Sequence, residues 1–349
     1  MRVLVMTGPW ALEVQHRDDP RPSGDEVLVR VEATGICGSD FHGFTGQTGR
    51  RHSGQVMGHE TVGYVESVGP EVADLAPGTL VTVNPMLSCD RCEVCASGNE
   101  QSCPNRVVLG VAPGLSAAFA EKMIVRRSNV VPLDPSIAPE LGALVEPLAV
   151  GYHAAVRGGC RPDDRVLIVG GGPIGQACLL ACRRLGATSI VVSDVRAERR
   201  TLCETLGART VDPQAGDLAA RVSDALGGPA TLAIDAVGLT PTLHDALSAS
   251  MLGARIVLVG MGAQQVEVPA YAVSTEERTI IGSFCYSRQH FSDTARWVGE
   301  TEVDLSRLVD GRVGLDAAEE AFTALARGTT AASKILVFPN GVPGEAGER

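Results

Sequence analysis

The stretch VLIVGGGPIG, residues 166–175, constrains this chain more than any other. A short apolar run leads directly into Gly170, Gly172 and Gly175 at the spacing G-x-G-x-x-G. Glycine-rich turns are common, so the triplet alone says little. Here the residues before it read as a strand and those after it, GQACLLACRRLG, as a helix; Asp194 closes the next apolar strand nineteen residues beyond Gly175. A dinucleotide pyrophosphate needs that context. The first glycine allows the tight turn, the second lets the backbone approach the phosphates, and the third lets helix and strand pack closely. Pro173 and Ile174 then open a helix whose free N–H groups and dipole favour an anion. Asp194 is placed to accept hydrogen bonds from the adenosine ribose hydroxyls, and its charge opposes a 2′-phosphate, which favours NAD over NADP. Arg196, Arg199 and Arg200 pull the other way, because arginines can hold a 2′-phosphate, and Arg199 counts among the cofactor-binding candidates.

The rest of the chain supports a doubly wound α/β domain here. RVLIVGGG, TSIVVSD, ATLAIDAVG and ARIVLVGMG are short apolar runs, separated by helical stretches such as ERRTLCETLG and TLHDALSASM. That alternation argues βαβ units and a parallel sheet. It begins after Gly151 and ends near Ser283. The first 150 residues are different: EVLVRVEATGIC and TVGYVESVG read as strands, punctuated by Gly and Pro turns. DLSRLVDGRVGLDAAEEAFTALARG reads as loop plus helix, KILVF as a closing strand, and GVPGEAGER as a frayed polar tail. At 349 residues the chain is too long for one compact core and suits two domains.

Cys89, Cys92, Cys95 and Cys103 stand at C-x2-C-x2-C-x7-C. Four thiolates at that spacing can close a tetrahedron around zinc, and a site with four protein ligands leaves no position for a substrate, so this zinc would be structural. A pair of disulfides and a nucleic-acid-binding finger are the alternatives. The acidic neighbours Asp90, Glu93 and Glu100 oppose the finger.

A second constellation, GICGSDFHGF…GHE, offers Cys37, Ser39, Asp40, His42, His59 and Glu60. Glu146 is the odd charged residue in the apolar LVEPLAVGYH, and a buried glutamate is costly unless paired or metal-bound. A mixed Cys, His and carboxylate set with fewer than four fixed ligands suits a catalytic zinc with an exchangeable position. Each residue alone also has a plain structural reading: a small core cysteine, a satisfied core histidine, a capping carboxylate.

Composition limits the partners. The net charge of −11 and the lack of a dense Lys/Arg run argue against nucleic acid. No apolar run approaches the length of a membrane span, and the N-terminal MRVLVMTGPW lacks the longer apolar core of a signal peptide. A cytoplasmic location follows as the expectation, where reducing conditions favour metal binding over disulfides.

GHE at Gly58–Glu60, the four-cysteine lobe and GGGPIG, in that order, resemble the zinc-dependent medium-chain dehydrogenases, the alcohol, sorbitol and threonine dehydrogenase family. The resemblance covers residues 1–339 and implies a GroES-like β-rich catalytic domain interrupted by a Rossmann domain. The expected boundaries are 1–150 and 288–349 for the first, with a zinc lobe at 86–105, and 151–287 for the second. By resemblance, Cys37 and His59 match catalytic-zinc ligands. Glu60 matches a glutamate that ligates or adjoins the metal, and Glu146 falls where sorbitol-like members have a glutamate near zinc. Two zinc ions per chain, one catalytic and one structural, and NAD are implied. The implied reaction oxidises a secondary alcohol in a sugar alcohol, sugar or cyclitol, the metal lowering the hydroxyl pKa and the cofactor taking hydride. Ser39 matches the hydroxyl that takes the proton, His42 the histidine that delivers it to water, and Asp40 an acid that orients a zinc ligand.

GSFCYSRQHF departs from the sorbitol pattern, with Cys285 where an arginine helps hold the polyol. Tyr286, Ser287 and Arg288 instead resemble a Tyr-x-Arg pattern of threonine dehydrogenases, which keeps an L-threonine 3-dehydrogenase-like enzyme as the alternative. A non-catalytic NAD-binding protein is a third reading, opposed by the presence of Cys37, Ser39, His42 and His59. Substrate candidates are Arg50 and Arg51, which could hold a carboxylate, phosphate or hydroxyls, together with Phe119, Tyr286 and Arg288; Phe44 is a further candidate pocket wall. Family resemblance also implies a homo-oligomer, a dimer or tetramer, with ARIVLVG and the segment around TIIGSF at the interface.

Overall fold

The structure, a computed structural model, describes residues 1–344 apart from 48, 113 and 116. The tail GVPGEAGER therefore lies partly outside the described residues. The chain divides into two compact units: Met1–Glu146 with Ser287–Arg349, and Pro147–Tyr286. The sequence reading puts the crossings near residues 150 and 287.

The first unit is built on a seven-stranded sheet whose centre is the strand Glu26–Gly35. Val27, Val29, Val31 and Ala33 alternate along it and are fully buried, the period of a strand with one face in the core. Glu60–Val68 pairs antiparallel on one side, with Gly35 opposite Glu60. Ile335–Phe338 pairs antiparallel on the other, with Leu336 opposite Gly35. The last of these strands arrives about 300 residues after Gly35, which makes the sheet one of long-range contacts. A smaller sheet joins Arg2–Gly8 to Ala11–His16 and Gln55–Val56. Beneath it Phe44, Phe119 and Phe322 meet edge to face, their centroids 5.3–5.5 Å apart, an arrangement aromatic rings favour. The pair Met86–Leu87 and Val107–Val108 closes the base of the cysteine lobe.

The helix Arg288–Glu300 in this unit is not among the elements that the apolar pattern marks. Its start is set by Ser287, whose Oγ accepts from the His290 N–H at 3.2 Å. Phe291, Ala295 and Val298 then recur on one buried face.

In the second unit six parallel strands run in the order Arg209–Val211, Ser189–Ser193, Arg165–Val169, Ala230–Asp235, Ser250–Leu258, Thr279–Gly282. This is the 3-2-1-4-5-6 arrangement of a dinucleotide-binding sheet, which places the ligand beyond the strand carboxyl ends. Among the described residues, no helix is long and apolar enough to cross a membrane.

Candidate active site

Strand register assembles the first cluster. Because Gly35 faces Glu60, the turn after one strand and the turn before the other lie side by side. Cys37 follows the first strand and precedes the helix Gly38–Phe44, while His59 comes directly before the second. Gly58 shapes that approach: its φ is +98°, and a Cβ there would meet the Phe119 nitrogen at 2.8 Å. One ligand atom each from Cys37, His59 and Glu60 lie within 4.8 Å of one another, so a single ion can reach all three.

Asp40, fully buried, ties these pieces together. One oxygen accepts from the Cys37 N–H at 3.2 Å. The other accepts from Arg51 Nη2 at 3.2 Å and lies 3.4 Å from His59 Nδ1. Burial alone would raise the Asp40 carboxyl, but His59 and then Arg51 override it and hold it below the usual range. At His59 burial works against the charged ring, and Asp40 and Cys37 outweigh it, lifting the pKa well above the ordinary value. On the far side Lys334 donates to both Glu60 oxygens, 2.7 Å from Oε1. Burial opposes its ammonium, yet Glu60 and Cys37 raise its pKa, and Glu146 adds to them.

Asp40, Glu60, Arg51 and Lys334 are all buried in this cluster. Glu146 is buried as well, but the ligand atoms that converge with those of Cys37 and His59 are those of Glu60. The donor set of thiolate, imidazole and carboxylate is one that zinc takes.

On the helix Gly38–Phe44, Ser39 and His42 are three residues apart and share a face. Both are exposed, in contrast to buried Asp40 on the same helix. His42 Nδ1 lies 3.0 Å from Gln47 Oε1.

The four cysteines of the lobe bring their sulfurs together at 3.4, 3.6, 3.9 and 3.9 Å. All are free thiols, which disposes of the disulfide alternative. Four sulfurs about 2.3 Å from one zinc lie roughly 3.8 Å apart, so the cage has the size of a tetrahedral site. Its thiols are unequal: Cys89 is held down at about 6, chiefly by the Arg91 backbone, and Cys95 is pushed up to about 12, first by burial and then by Cys92 and Cys103. A divalent cation relieves that competition by accepting all four as thiolates.

In the second unit Gly175 is required by space, since a Cβ there would sit 1.7 Å from the Gly170 oxygen. Gly172 precedes the helix Pro173–Arg184 and offers no side-chain cap, leaving its first N–H groups for an anion. Ile174 lies in that first turn. Asp194 accepts from the Gly171 N–H and the Arg196 N–H, each at 2.7 Å, and Arg199 Nη1 stands 3.5 Å away.

Two families of sequence match cover both units: an alcohol dehydrogenase GroES-like domain over residues 23–135 and a zinc-binding dehydrogenase domain over 173–300. The chain is similar to L-idonate 5-dehydrogenase of Vitis vinifera, at 32% identity over 93% of this chain and 92% of that one. It is similar to sorbitol dehydrogenase of Macaca fascicularis, at 32% identity over 97% and 96%. This chain belongs to the zinc-binding alcohol dehydrogenase family. Its structure resembles that of a zinc-binding dehydrogenase from Sinorhizobium meliloti 1021 bound to NADP, with a TM-score of 0.90 and 30% identity over 97% of this chain and 99% of that one.

Within this zinc-type dehydrogenase the expected substrate residues fare unevenly. Phe119 and Phe44 are fully buried against Phe322 and belong to the core, correcting their reading as pocket walls. Arg51 is committed to Asp40, its side chain only 1% exposed, which corrects its reading as a substrate-holding group. Tyr286 is buried. Arg288 Nη2 donates to Asp90 at 2.8 Å on the cysteine lobe, so its guanidinium already holds a carboxylate of the protein. Arg50 is exposed. The residue that sequence reasoning missed is Lys334. Its signal was available: like Glu146, it is a lone charge beside an apolar run, in SKILVF.

Proposed function

We propose that this dehydrogenase oxidises a secondary alcohol of a sugar alcohol, sugar or cyclitol to the ketone, reversibly, with NAD as hydride acceptor. The observation that carries the reading is the Cys37–His59–Glu60 cluster, whose ligand atoms lie within 4.8 Å of one another, with exposed Ser39 and His42 on the helix that follows Cys37. Cys37, His59 and Glu60 would hold the catalytic zinc, with Glu146 a further carboxylate candidate for it, and Cys89, Cys92, Cys95 and Cys103 a structural one. When bound, a zinc ion acts as a Lewis acid that lowers the pKa of a substrate hydroxyl. Asp40 fixes the His59 ring and the Cys37 backbone. Ser39 takes the substrate proton, and exposed His42 passes it to water, a task suited to imidazole near neutral pH. Gly170, Gly172, Pro173, Ile174 and Gly175 seat the pyrophosphate, and Asp194 with Arg199 receives the adenosine ribose.

Support for the substrate class comes from relatives named for idonate and sorbitol. NAD is preferred because Asp194 directly follows the Ser189–Ser193 strand, where a carboxylate would oppose a 2′-phosphate, although a similar structure holds NADP. An amino-alcohol substrate such as L-threonine would want an arginine for its carboxylate, and Arg288 is engaged by Asp90. Ten free thiols suit a reducing, cytoplasmic setting, and the exposed edge strand Thr279–Gly282 suits pairing between two copies.

The test is reduction of NAD or NADP by zinc-replete protein over a panel of xylitol, sorbitol, ribitol, galactitol, inositols, L-threonine, 2,3-butanediol and primary alcohols. Turnover of a polyol or cyclitol with NAD, falling to background in Cys37→Ser, is the expected result. Turnover confined to L-threonine, or indifferent to Cys37→Ser, would sink the proposal.

A further inference from the structure

The second unit holds thiols that neither the zinc sites nor the nucleotide site uses. Cys178 and Cys203 are fully buried, and burial pushes each up to about 12, so they behave as small apolar side chains. Cys160 is different. It is half-buried in the turn that leads into the strand Arg165–Val169, with Arg161, Pro162 and Asp163 exposed beside it. Other parts of the unit fix that turn. Arg255 donates to the Gly158 carbonyl at 2.9 Å and to the Gly159 carbonyl, and it pairs with Asp164, which also accepts from Thr231 Oγ1 at 2.6 Å. Pro162 rests on the chain just beyond the helix Pro173–Arg184, where a Cβ on Gly186 would come 3.1 Å from its Cγ. The Cys160 sulfur meets that of Cys182, in the last turn of this helix, as its hydrogen-bond partner.

The two sulfurs are unequal. Cys182 is fully buried, and its S–H donates to Cys160. That hydrogen bond holds the Cys160 thiol below its ordinary value, against burial and Asp164, with Arg255 assisting. The same bond, and then burial, pushes Cys182 well above the ordinary value. The sulfur nearer to solvent is therefore the one that ionises more readily, and the thiolate is the nucleophile. We infer that Cys160 is a site of reversible oxidation by hydrogen peroxide, and that Cys182 is the resolving thiol that captures the oxidised sulfur as a disulfide within the chain. The Cys160 thiolate attacks one peroxide oxygen; an S–O bond forms, the O–O bond breaks, and hydroxide leaves to become water. The Cys182 sulfur, giving its proton to solvent, then attacks the Cys160 sulfenic acid; an S–S bond forms, the S–O bond breaks, and a second water leaves. Each sulfur gives up one electron, and the peroxide is fully reduced to water. Capture at this stage stops Cys160 short of the sulfinic acid, which thiols do not reverse.

The experiment treats reduced, zinc-loaded full-length protein with hydrogen peroxide and maps the cysteines by tryptic digestion and mass spectrometry. Cys160 and Cys182 fall on separate peptides, 158–165 and 166–183. The parent protein is expected to lose a pair of titratable thiols per chain, to join these peptides through Cys160 and Cys182, to show no dimedone adduct on Cys160, and to recover fully in dithiothreitol. Cys182→Ser is expected to leave Cys160 as a sulfenic acid that dimedone traps, and as sulfinic acid at higher peroxide. Cys160→Ser is expected to keep Cys182 a thiol throughout. Thermal midpoints of the reduced variants close to that of the parent show that they fold, and Cys182→Ala replaces the serine variant if a buried hydroxyl unfolds it. A parent Cys160 that stays a thiol at peroxide concentrations that oxidise glutathione overturns the inference. So does a sulfenic or sulfinic acid on parent Cys160 without the cross-link, a disulfide from Cys160 to Cys178 or Cys285, or oxidation of Cys182 in Cys160→Ser.

Discussion

The guanidinium of Arg51 is shut away from solvent by its own chain. Its stem lies over Gly43, where a Cβ would come 2.3 Å from Arg51 Cγ, and its Nη2 rests on Asp40. Removing one partner from a buried ion pair costs about 3–5 kcal/mol, and disturbing the groups behind metal ligands weakens metal binding by roughly 10–100-fold. Arg51→Met is therefore expected to lower the thermal midpoint and weaken metal binding at the Cys37 site by about that factor, read by chelator competition. Arg50→Ala should do neither. A raised KM with unaltered metal affinity in Arg51→Met would return Arg51 to substrate binding. The sequence could place Arg51 near the zinc ligands, because a short loop joins it to His59. It could not say which way the side chain turns, since Gly43 and Asp40, on the helix Gly38–Phe44, decide that.

The cysteine lobe illustrates the opposite case. Its four ligands sit within fifteen residues, so spacing alone carries the chemistry, and the S···S distances of 3.4–3.9 Å agree with it. Between Cys89 and Arg106 the buried side chains are Cys95, Gln101 and Cys103, too little apolar surface to order such a loop unaided. Two further contacts tie it to the helix Arg288–Glu300: Asp90 accepts from Arg288 Nη2, and Glu100 accepts from the Arg288 N–H at 3.3 Å. Cys95→Ser is expected to open the segment between Met86–Leu87 and Val107–Val108 to limited proteolysis, mapped by mass spectrometry, while NAD binding in the other unit persists. An uncut lobe in that variant would show that zinc is not what orders it. The Glu60–Lys334 pair had no comparable signal. Its partners are 274 residues apart and meet only through two strand registers across a third strand. Local spacing reaches ligands in one loop; it does not reach neighbours made by sheet topology.

The six-stranded sheet ends in Thr279–Gly282, which pairs on one side only and whose residues are exposed or half-buried. Leu252 at 66% exposed and Tyr271 at 82% add apolar surface in the same unit. An open edge of this kind invites a second strand unless it is blocked. If two copies pair there, Ile281→Lys should convert the oligomer to a smaller species in sedimentation velocity, with the unfolding midpoint becoming independent of protein concentration. An unchanged sedimentation coefficient would place the interface elsewhere. The βαβ alternation made this sheet readable from sequence, because each unit is local; the β-rich unit was readable only as strands, since its order depends on pairings such as Leu336 with Gly35.

That late strand also orders events in time. A ribosome adds about 5–20 residues per second, and domains fold as they emerge. Cys37, Asp40, His59 and Glu60 are made early, the contiguous nucleotide unit Pro147–Tyr286 follows, and Lys334 comes only afterwards. For roughly 10–60 s the nascent sheet lacks its Ile335–Phe338 strand, and Glu60 has no lysine opposite it. During that interval the slot beside Gly35 is an unfilled strand edge, the kind of surface that recruits other chains. Translation that stalls within this window would leave a chain able to form its nucleotide fold yet prone to aggregate, so the burden of making this enzyme falls on its final strand.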